Sequence, residues 1–254
     1  MPSYIANVRN EIDKLSAMRK IRLIVLLTAI VPVMAGLLLG SLNGQTGISF
    51  IGAGGAAGLP LLMLDLLVLF WLPPVLFMTA AELFAGEKST RTMKLVLTKP
   101  IARSAVYASK LTAIAALCLL LLGEVWLIAW LTELFTGMGG GSSALGVLHS
   151  LGVYAAAFVP MMVLALIAAF VVQWFGSGTG AFLILLFFYL AGKLLPLVYP
   201  STSGWNVFAQ TDWYRLWLGN LPSLKHAMTL FMFLLAHGIM SYAAGWYRFE
   251  KQSF

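Results

Sequence analysis

Three ionisable side chains lie inside long apolar stretches of the sequence, where a charge is costly and is therefore a functional candidate. They are Asp65, Glu124 and Lys193. At a rise of 1.5 Å per residue, each is expected about 9–13 Å from the outer end of its helix. An acidic member could pair with Lys193 and offset the cost of burying both charges. The pattern predicts either the polar lining of an outward-facing vestibule or a structural ion pair that locks the helices together.

His237 is a fourth polar residue in an apolar stretch, and it is expected near the middle of the last one. A histidine at this depth could relay a proton, but a packed and hydrogen-bonded ring is the preferred interpretation. The zinc-binding His-Glu-x-x-His pattern does not occur in the sequence. No catalytic residue, cofactor site or metal site is predicted in this chain.

The stretches that hold these residues are those of an integral membrane protein. The 254 residues are 61% hydrophobic and 10% charged, whereas a soluble domain is about half apolar and about a quarter charged. Spans of about 20 apolar residues cross a bilayer, and continuous runs argue against a β-barrel. The sequence predicts an all-α protein with a single transmembrane domain over residues 1–254 and six spans, at about 22–42, 59–81, 109–132, 147–172, 179–199 and 224–247.

Basic residues are concentrated on one face of this predicted topology. Of the 16 Lys and Arg residues, 13 precede the first span, lie in or beside the connection between spans two and three, or follow the last span. Because positive loops stay inside, both termini are expected in the cytoplasm. The net charge of +7 reflects this bias and gives no reason to expect nucleic acid as a partner.

Residues 3–20, before the first span, carry a helical apolar stripe of Ile5, Val8, Ile12 and Leu15. This spacing predicts an amphipathic helix that lies in the cytoplasmic interface. A solvated N-terminal tail is the alternative.

The connection between spans two and three, residues 82–110, is the most highly charged part of the chain. A helix there would place Glu87, Arg91, Lys94 and Leu95 on neighbouring turns. Such a helix, held between two spans, could push against another protein. An ordinary solvated loop is the alternative that periodicity alone leaves open.

Within this connection a series of residues resembles a motif of ABC-2-type transporter permeases. The residues are Glu87, Thr92, the Leu95–Leu97 pair, Pro100, Arg103 and Lys110, and Arg91 stands where the family usually has glycine. The resemblance implies that residues 82–110 form a coupling helix that docks onto an ATPase, and that residues 3–20 form the elbow helix of the family. The residues expected at the coupling site are Glu87, Lys88, Thr90, Arg91, Thr92, Lys94, Leu95, Pro100 and Arg103.

The resemblance also implies the partners. No Walker A motif occurs in the sequence, so ATP and Mg²⁺ are expected on a separate ATPase subunit, and the chain is not expected to be an enzyme by itself. No internal repeat is evident, so a pathway is expected between two permease chains, identical or related. The expected location is a bacterial plasma membrane.

Two further features concern the pathway. Pro73 and Pro74 predict a kink in span two, either a static bend or a hinge. The loop from Tyr199 to Ser223 is rich in aromatic residues, which suit the outer interface, and the resemblance implies short re-entrant helices there that close the exit. A laterally open, aromatic-rich bundle favours export of an amphipathic peptide, an antibiotic or another hydrophobic substrate over a hydrated ion.

Two other classes of protein remain as alternatives. An ATP-independent channel, scaffold or immunity protein has the same composition, although no repeated pore motif is visible. An intramembrane CAAX-type protease is suggested only by Glu87-x-x-x-Arg91, because residue 86 is glycine where that signature has a second glutamate.

Overall fold

A computed structural model describes residues 4–46, 58–90, 102–137, 144–218 and 224–252. In these ranges the chain is built from long helices joined by short 3-10 turns, and it contains no strand. The helices are α1 (Tyr4–Ala17), α2 (Arg19–Thr46), α3 (Leu59–Ser89), α4 (Arg103–Thr136), α5 (Ala144–Val171), α6 (Gly178–Val198) and α7 (Leu224–Lys251). The 3-10 turns are Val172–Trp174, Pro200–Thr202 and Ala209–Trp217.

Six helices in the described part of the chain, α2 to α7, are long and apolar enough to cross a membrane. The predicted class, an all-α protein with six membrane-spanning helices, is therefore confirmed. Most helices extend past the predicted spans, and α3 and α4 do so furthest: α3 continues to Ser89 and α4 begins at Arg103. Polar residues in these extensions pack inside the protein, so the helices do not end where the apolar pattern ends.

The centre of the bundle is formed by α3, α4 and α5. Helix α4 packs against α1, α2, α3 and α5, while α5 packs also against α7. Fully buried side chains such as Leu64, Leu76, Ile114 and Leu164 form the core. Helices α2 and α6 lie at the periphery, where leucines such as Leu23 and Leu197 remain exposed. These outer faces are apolar because they meet lipid and not water.

Helix α1 and the last turn of α7 lie at the same end of the bundle, which is called the terminal end below. Asn7 Nδ2 of α1 donates to Ser109 Oγ of α4 over 2.6 Å. Arg103 Nη1, in the first turn of α4, donates to the carbonyls of Glu250 and Gln252 over 2.8 and 2.9 Å. The positive guanidinium thus caps the carbonyl end of α7, where the helix dipole favours a cation.

Helix α3 departs from α-helical geometry twice, in π-helical turns at Leu67–Trp71 and Glu82–Gly86. The first turn precedes Pro73 and Pro74. Proline has no N–H, so the carbonyl of Leu69, four residues before Pro73, loses its usual donor. The hydroxyl of Tyr189 in α6 donates to this carbonyl over 2.9 Å. Helix α6 thus satisfies the carbonyl that the proline frees, while the kink expected at Pro73 and Pro74 stays a prediction.

The other end of α3 is held by a buried acid. Glu133, near the end of α4, accepts a hydrogen bond from the backbone N–H of Leu59. A Cβ at Gly58 would come within 2.5 Å of Glu133 Oε2, so glycine makes room for the carboxylate. The negative charge lies at the start of the helix, where the dipole stabilises it.

Candidate functional site

Four charged side chains meet at the terminal end: Glu11 and Lys14 of α1, Glu87 of α3 and Lys110 of α4. They are called the charge cluster. Lys110 Nζ lies 2.8 Å from Glu87 Oε1 and 3.1 Å from Glu11 Oε1. Lys14 Nζ also bonds Glu87 Oε1 and lies 3.8 Å from Glu11 Oε2. Two acids face two bases, so the formal charges of the cluster cancel.

Three of the four side chains in the charge cluster are shielded from solvent, whereas that of Lys14 is 36% exposed. Lys110 is 0% exposed, and Glu11 and Glu87 are each 4% exposed. Buried charges persist only when they are paired, because desolvation of each is costly. Burial, and next the ammonium of Lys110, lower the pKa of Lys14 to about 8.

The face of α1 that packs against the bundle is polar at Asn7 and Glu11 and apolar at Leu15, a member of the predicted stripe that is only 4% exposed. Asn7, Glu11 and Leu15 recur at helical spacing and are the buried residues of this helix. Ile5 of the predicted apolar stripe is 76% exposed, and Ile12 is 39% exposed. Helix α1 therefore has two useful faces: a mostly polar face bound to α4 and an apolar face directed away from the protein.

Some of the predicted coupling residues are placed by the structure. Glu87 is directed inward, into the charge cluster, and Lys88 beside it is half-buried. Thr90 is exposed, and its hydroxyl donates to the carbonyl of Gly86 over 3.0 Å. Arg103 caps α7. The remaining predicted residues, Arg91, Thr92, Lys94, Leu95 and Pro100, lie outside the described residues.

Around the charge cluster, aromatic and amide groups bind α3, α4, α5 and α7 to one another. The ring of Tyr107 is fully buried and packs against Phe84 and Phe249, with centroids 5.6 Å apart in both pairs. Gln173 Nε2 donates to the carbonyl of Gly245 over 3.1 Å. The guanidinium of Arg248 lies 3.4 Å from the centre of the Trp174 ring. The terminal end is therefore a tightly connected unit.

At the opposite end of the bundle, the 3-10 segment Ala209–Trp217 is fastened to α3 and α6 by ion pairs. Lys193 Nζ lies 2.9 Å from Asp212 Oδ1, and Arg215 Nε lies 3.2 Å from Asp65 Oδ1. These four residues are called the loop latch. The expected pairing of Lys193 with Asp65 or Glu124 does not form, because the loop folds back and supplies Asp212 as the partner.

Neutral hydrogen bonds reinforce the loop latch. The hydroxyl of Tyr214, which is 1% exposed, donates to Asp65. Burial, then the hydrogen bond and charge of Asp65, raise the pKa of Tyr214 above its ordinary value. His149 Nε2 lies 2.8 Å from the carbonyl oxygen of Trp217. The segment is thus held to α3, α5 and α6 together.

The other two predicted intramembrane residues stand apart from the loop latch. Glu124 is partly exposed, and its Oε2 atom has no hydrogen-bond partner among the described residues. His237 Nδ1 lies 2.9 Å from the carbonyl oxygen of Phe233 in its own helix, and the two rings pack with centroids 4.4 Å apart. The preferred interpretation of His237 as a packed, hydrogen-bonded ring matches this geometry.

Sequence reasoning missed four residues of these sites as ion-pair partners: Glu11, Lys14, Asp212 and Arg215. The pairing of Glu11 could have been expected from the sequence, because it lies three residues before Lys14 and off the apolar stripe. Asp212 and Arg215 are themselves three residues apart, with Arg215 Nη1 3.9 Å from Asp212 Oδ2. Their partners in α3 and α6 are 150 and 19 residues away along the chain, beyond what spacing can reveal.

Six helices that are long and apolar enough to cross a membrane indicate a multi-pass integral membrane protein. A family model described as ABC-2 family transporter protein matches residues 7–193. Because the match covers more than half of the chain, the chain belongs to the ABC-2 family and is a membrane transport component. The family resemblance drawn from residues 82–110 is confirmed. No curated protein matches the chain.

The family match covers the whole charge cluster, from Glu11 to Lys110. It ends at Lys193, so it includes two members of the loop latch, Asp65 and Lys193. Asp212 and Arg215 lie beyond it. The terminal-end cluster is thus within the region shared with the family, while the 3-10 segment is outside the matched region.

Proposed function

We propose that this chain is the membrane-spanning permease subunit of an ATP-driven exporter, with a separate ATPase subunit that binds at residues 82–110. ATP and Mg²⁺ would be bound by that ATPase, and a second permease chain, the same or related, would complete the pathway. The substrate is an amphipathic peptide, an antibiotic or another hydrophobic molecule. The location is a bacterial plasma membrane, with the terminal end in the cytoplasm.

One observation carries the proposal: the two ends of the 82–110 connection are bound to each other by Glu87 and Lys110. Helix α3 continues without a break to Ser89, and α4 begins at Arg103. A force on the residues between them would therefore act on both helices at once. A solvated loop would need neither the helical extensions nor a buried ion pair at its base.

The burial of Glu87 supports a division of the predicted coupling site into two roles. Glu87, with Lys110, transmits movement inside the protein because it is buried. The residues between the two helices, including Arg91, Thr92 and Lys94, contact the ATPase. Coupling requires that these contacts differ between the two ATPase conformations, because a partner with equal affinity for both states shifts nothing.

Export needs an exit that can close, and the loop latch supplies a candidate. Segment Ala209–Trp217 covers one end of α3 and α6 and is held by groups that are partly exposed, with Arg215 at 50% and Asp65 at 41% side-chain exposure. Exposed ion pairs contribute little free energy, about 0–1 kcal/mol. These ion pairs therefore add little to the cost of opening, which is set by the buried contacts of the segment, such as those of Tyr214 and Trp213.

The test compares two charge-reversed variants in membranes of cells that express the chain with its ATPase. Arg91→Glu with Lys94→Glu changes the proposed docking site, and Lys225→Glu changes an exposed lysine at the opposite end. We expect the double variant to insert normally, to lose the co-purifying ATPase and to stop ATP-dependent transport. Lys225→Glu should leave both unchanged.

Transport at the unmodified rate in the Arg91→Glu, Lys94→Glu variant would overturn the coupling assignment. A chain that purifies without any ATPase, and supports substrate movement without ATP, would instead favour the channel class. Protease accessibility of a tag at the C-terminus, in sealed right-side-out vesicles, measures the orientation independently. We expect the tag to be protected.

A further inference from the structure

An apolar pocket opens between α2 and α3, at the depth of the membrane interior. Its volume is about 150 Å³, and it is lined by Val31 and Pro32 of α2, by Met63, Leu67 and Trp71 of α3, and by Val125 of α4. We propose that this pocket binds the distal part of one acyl chain of a bilayer phospholipid. The proposal concerns the permease chain itself and does not depend on the ATPase.

The chemistry of the lining excludes a polar occupant. The hydroxyl of Thr28 also borders the pocket, but it is already engaged. It donates to the carbonyl of Ile24 over 2.7 Å and accepts from Trp71 Nε1 over 2.7 Å. The polar atom of Trp71 is satisfied by the same contact. The remaining surface is hydrocarbon and aromatic, so it offers dispersion contacts and no hydrogen bond.

The mouth of the pocket lies between two helices that are long and apolar enough to cross a membrane. Val31, Leu66 and Phe70 at its edge are 46%, 45% and 66% exposed, and they lie on helices that span the membrane. The molecules that can reach it are therefore those dissolved in the bilayer, of which phospholipid chains are the most abundant. Atoms that line an empty pocket lack van der Waals partners on one side. An acyl chain in the pocket supplies those partners.

The depth and size of the pocket fit the end of a chain. Thr28 to Pro32 lie nine to thirteen residues after Arg19, which is about 14–20 Å along α2 at 1.5 Å per residue. The middle of a hydrocarbon layer about 30 Å thick lies at this depth. An apolar cavity of about 150 Å³ is known to hold benzene, so the pocket accommodates about six carbon atoms.

Irregular backbone shapes the walls. Pro32 interrupts the hydrogen bonding of α2, and Leu67–Trp71 of α3 form a π-helical turn. π-helical turns occur frequently at functional sites. The hydrogen bond from Trp71 to Thr28 fixes the indole between these two distortions. The concave surface thus follows from specific residues and not from loose packing.

The experiment uses a phospholipid that carries a photoreactive diazirine near the end of one acyl chain, in vesicles that contain the full chain. Crosslinked residues are mapped by mass spectrometry. Val125 lines the pocket yet is only 3% exposed, and Leu121 on the same helix is 0% exposed and does not line it. We expect label at Val125 at least about tenfold above label at Leu121.

A matched pair of variants tests the same point by filling the pocket. Val31→Phe adds bulk at the mouth, whereas Val33→Phe adds the same bulk two residues away, at a position that is 38% exposed and outside the pocket. We expect Val31→Phe to reduce label at Val125 at least about fivefold and Val33→Phe to leave it unchanged.

Equal labelling of Val125 and Leu121 in the unmodified chain would overturn the proposal, and this comparison needs no variant to fold. Full labelling of Val125 in a folded Val31→Phe variant would overturn it as well. Either result would leave the proposed transport function untouched, because crosslinking requires neither ATP nor the ATPase.

Discussion

The ammonium of Lys110 lies 2.8 Å from Oε1 of Glu87, and the lysine side chain is completely buried. The two residues flank the connection between α3 and α4, so one ion pair closes the base of this connection. Glu11 and Lys14 extend the contact to α1. Three helices at the terminal end are thus tied together by charges that none of them could bury alone.

We expect Lys110→Met to destabilise the protein by about 3–5 kcal/mol, because it leaves Glu11 and Glu87 buried with a net negative charge. The chain has a single cysteine, Cys118, which is 0% exposed. Its thiol should react with a fluorescent maleimide only on unfolding. Thermal unfolding in mild detergent, followed by this reaction, measures the change.

The control for this prediction is the double variant Lys110→Met, Glu87→Leu. It removes one charge of each sign and leaves Glu11 beside Lys14, so it should be more stable than Lys110→Met alone. If the double variant is less stable by the sum of the two single effects, the two side chains are not coupled. The pairing would then have no energetic significance.

A second prediction concerns Tyr189 and the proline kink. Tyr189→Phe removes the donor to the Leu69 carbonyl, and an unsatisfied buried carbonyl costs about 1–3 kcal/mol. In a Pro73→Ala background, the new amide can satisfy that carbonyl from within α3. We therefore expect Tyr189→Phe to lower the free energy of unfolding by less in the Pro73→Ala background than in the unmodified chain, as measured by the same thiol assay. Equal costs in both backgrounds would contradict this explanation of the kink.

The lowered pKa of Lys14 predicts a dependence on pH. The folded-state pKa is about 8 and the ordinary value is 10.5. Between these values the unfolded chain binds more protons than the folded chain, so this group's contribution to the free energy of unfolding rises with pH. Below about pH 8 the penalty for the buried ammonium is present in full.

The matched control is Lys14→Met, which lacks the titrating group. On raising the pH from about 7.5 to about 9.5, the stability of the unmodified chain should increase relative to that of Lys14→Met. The unfolding midpoints of both chains at the two pH values give the result. A constant difference between them would show that Lys14 keeps its ordinary pKa.

A further prediction is that Asp65→Asn increases local opening of segment Ala209–Trp217 without unfolding the bundle. Asp65→Asn weakens the pair with Arg215, and exposed pairs contribute about 0–1 kcal/mol. Hydrogen–deuterium exchange of Ala209–Trp217 should therefore accelerate by no more than about fivefold, while α4 remains protected. Lys225→Gln is the control. Equal acceleration in α4 would mean that Asp65 supports the whole fold and not the segment alone.

The sequence was most informative about what lies in the membrane. Runs such as 59–81 and 179–199 are apolar for longer than a soluble helix needs, because lipid surrounds them. The missing N–H of Pro73 predicted a free carbonyl four residues earlier, and Leu69 accepts its hydrogen bond from Tyr189. The family followed from residues 82–110, of which Glu87 and Lys110 later proved to be neighbours in space. Each of these features depends on residues that are close together in the sequence, so it can be recognised without the structure.

The structure altered the interpretation wherever partners are distant in sequence. Lys193 was expected to pair with another intramembrane acid, but Asp212 from the folded-back loop reaches it. Glu11 was not singled out, and it proved to be one of the most deeply buried acids. Ion pairing depends on the direction of side chains after helices pack, and the types of residue alone leave several pairings open.

The amino-acid sequence by itself determined the membrane class, the six spans and the family, because hydrocarbon length and local motifs are properties of contiguous residues. Tertiary structure decided which face of α1 is buried, which charges cancel one another and where an acyl-chain pocket opens. Those outcomes depend on long-range packing. A buried charge is stabilised only by an opposite charge that lies within about 4 Å once the helices have packed.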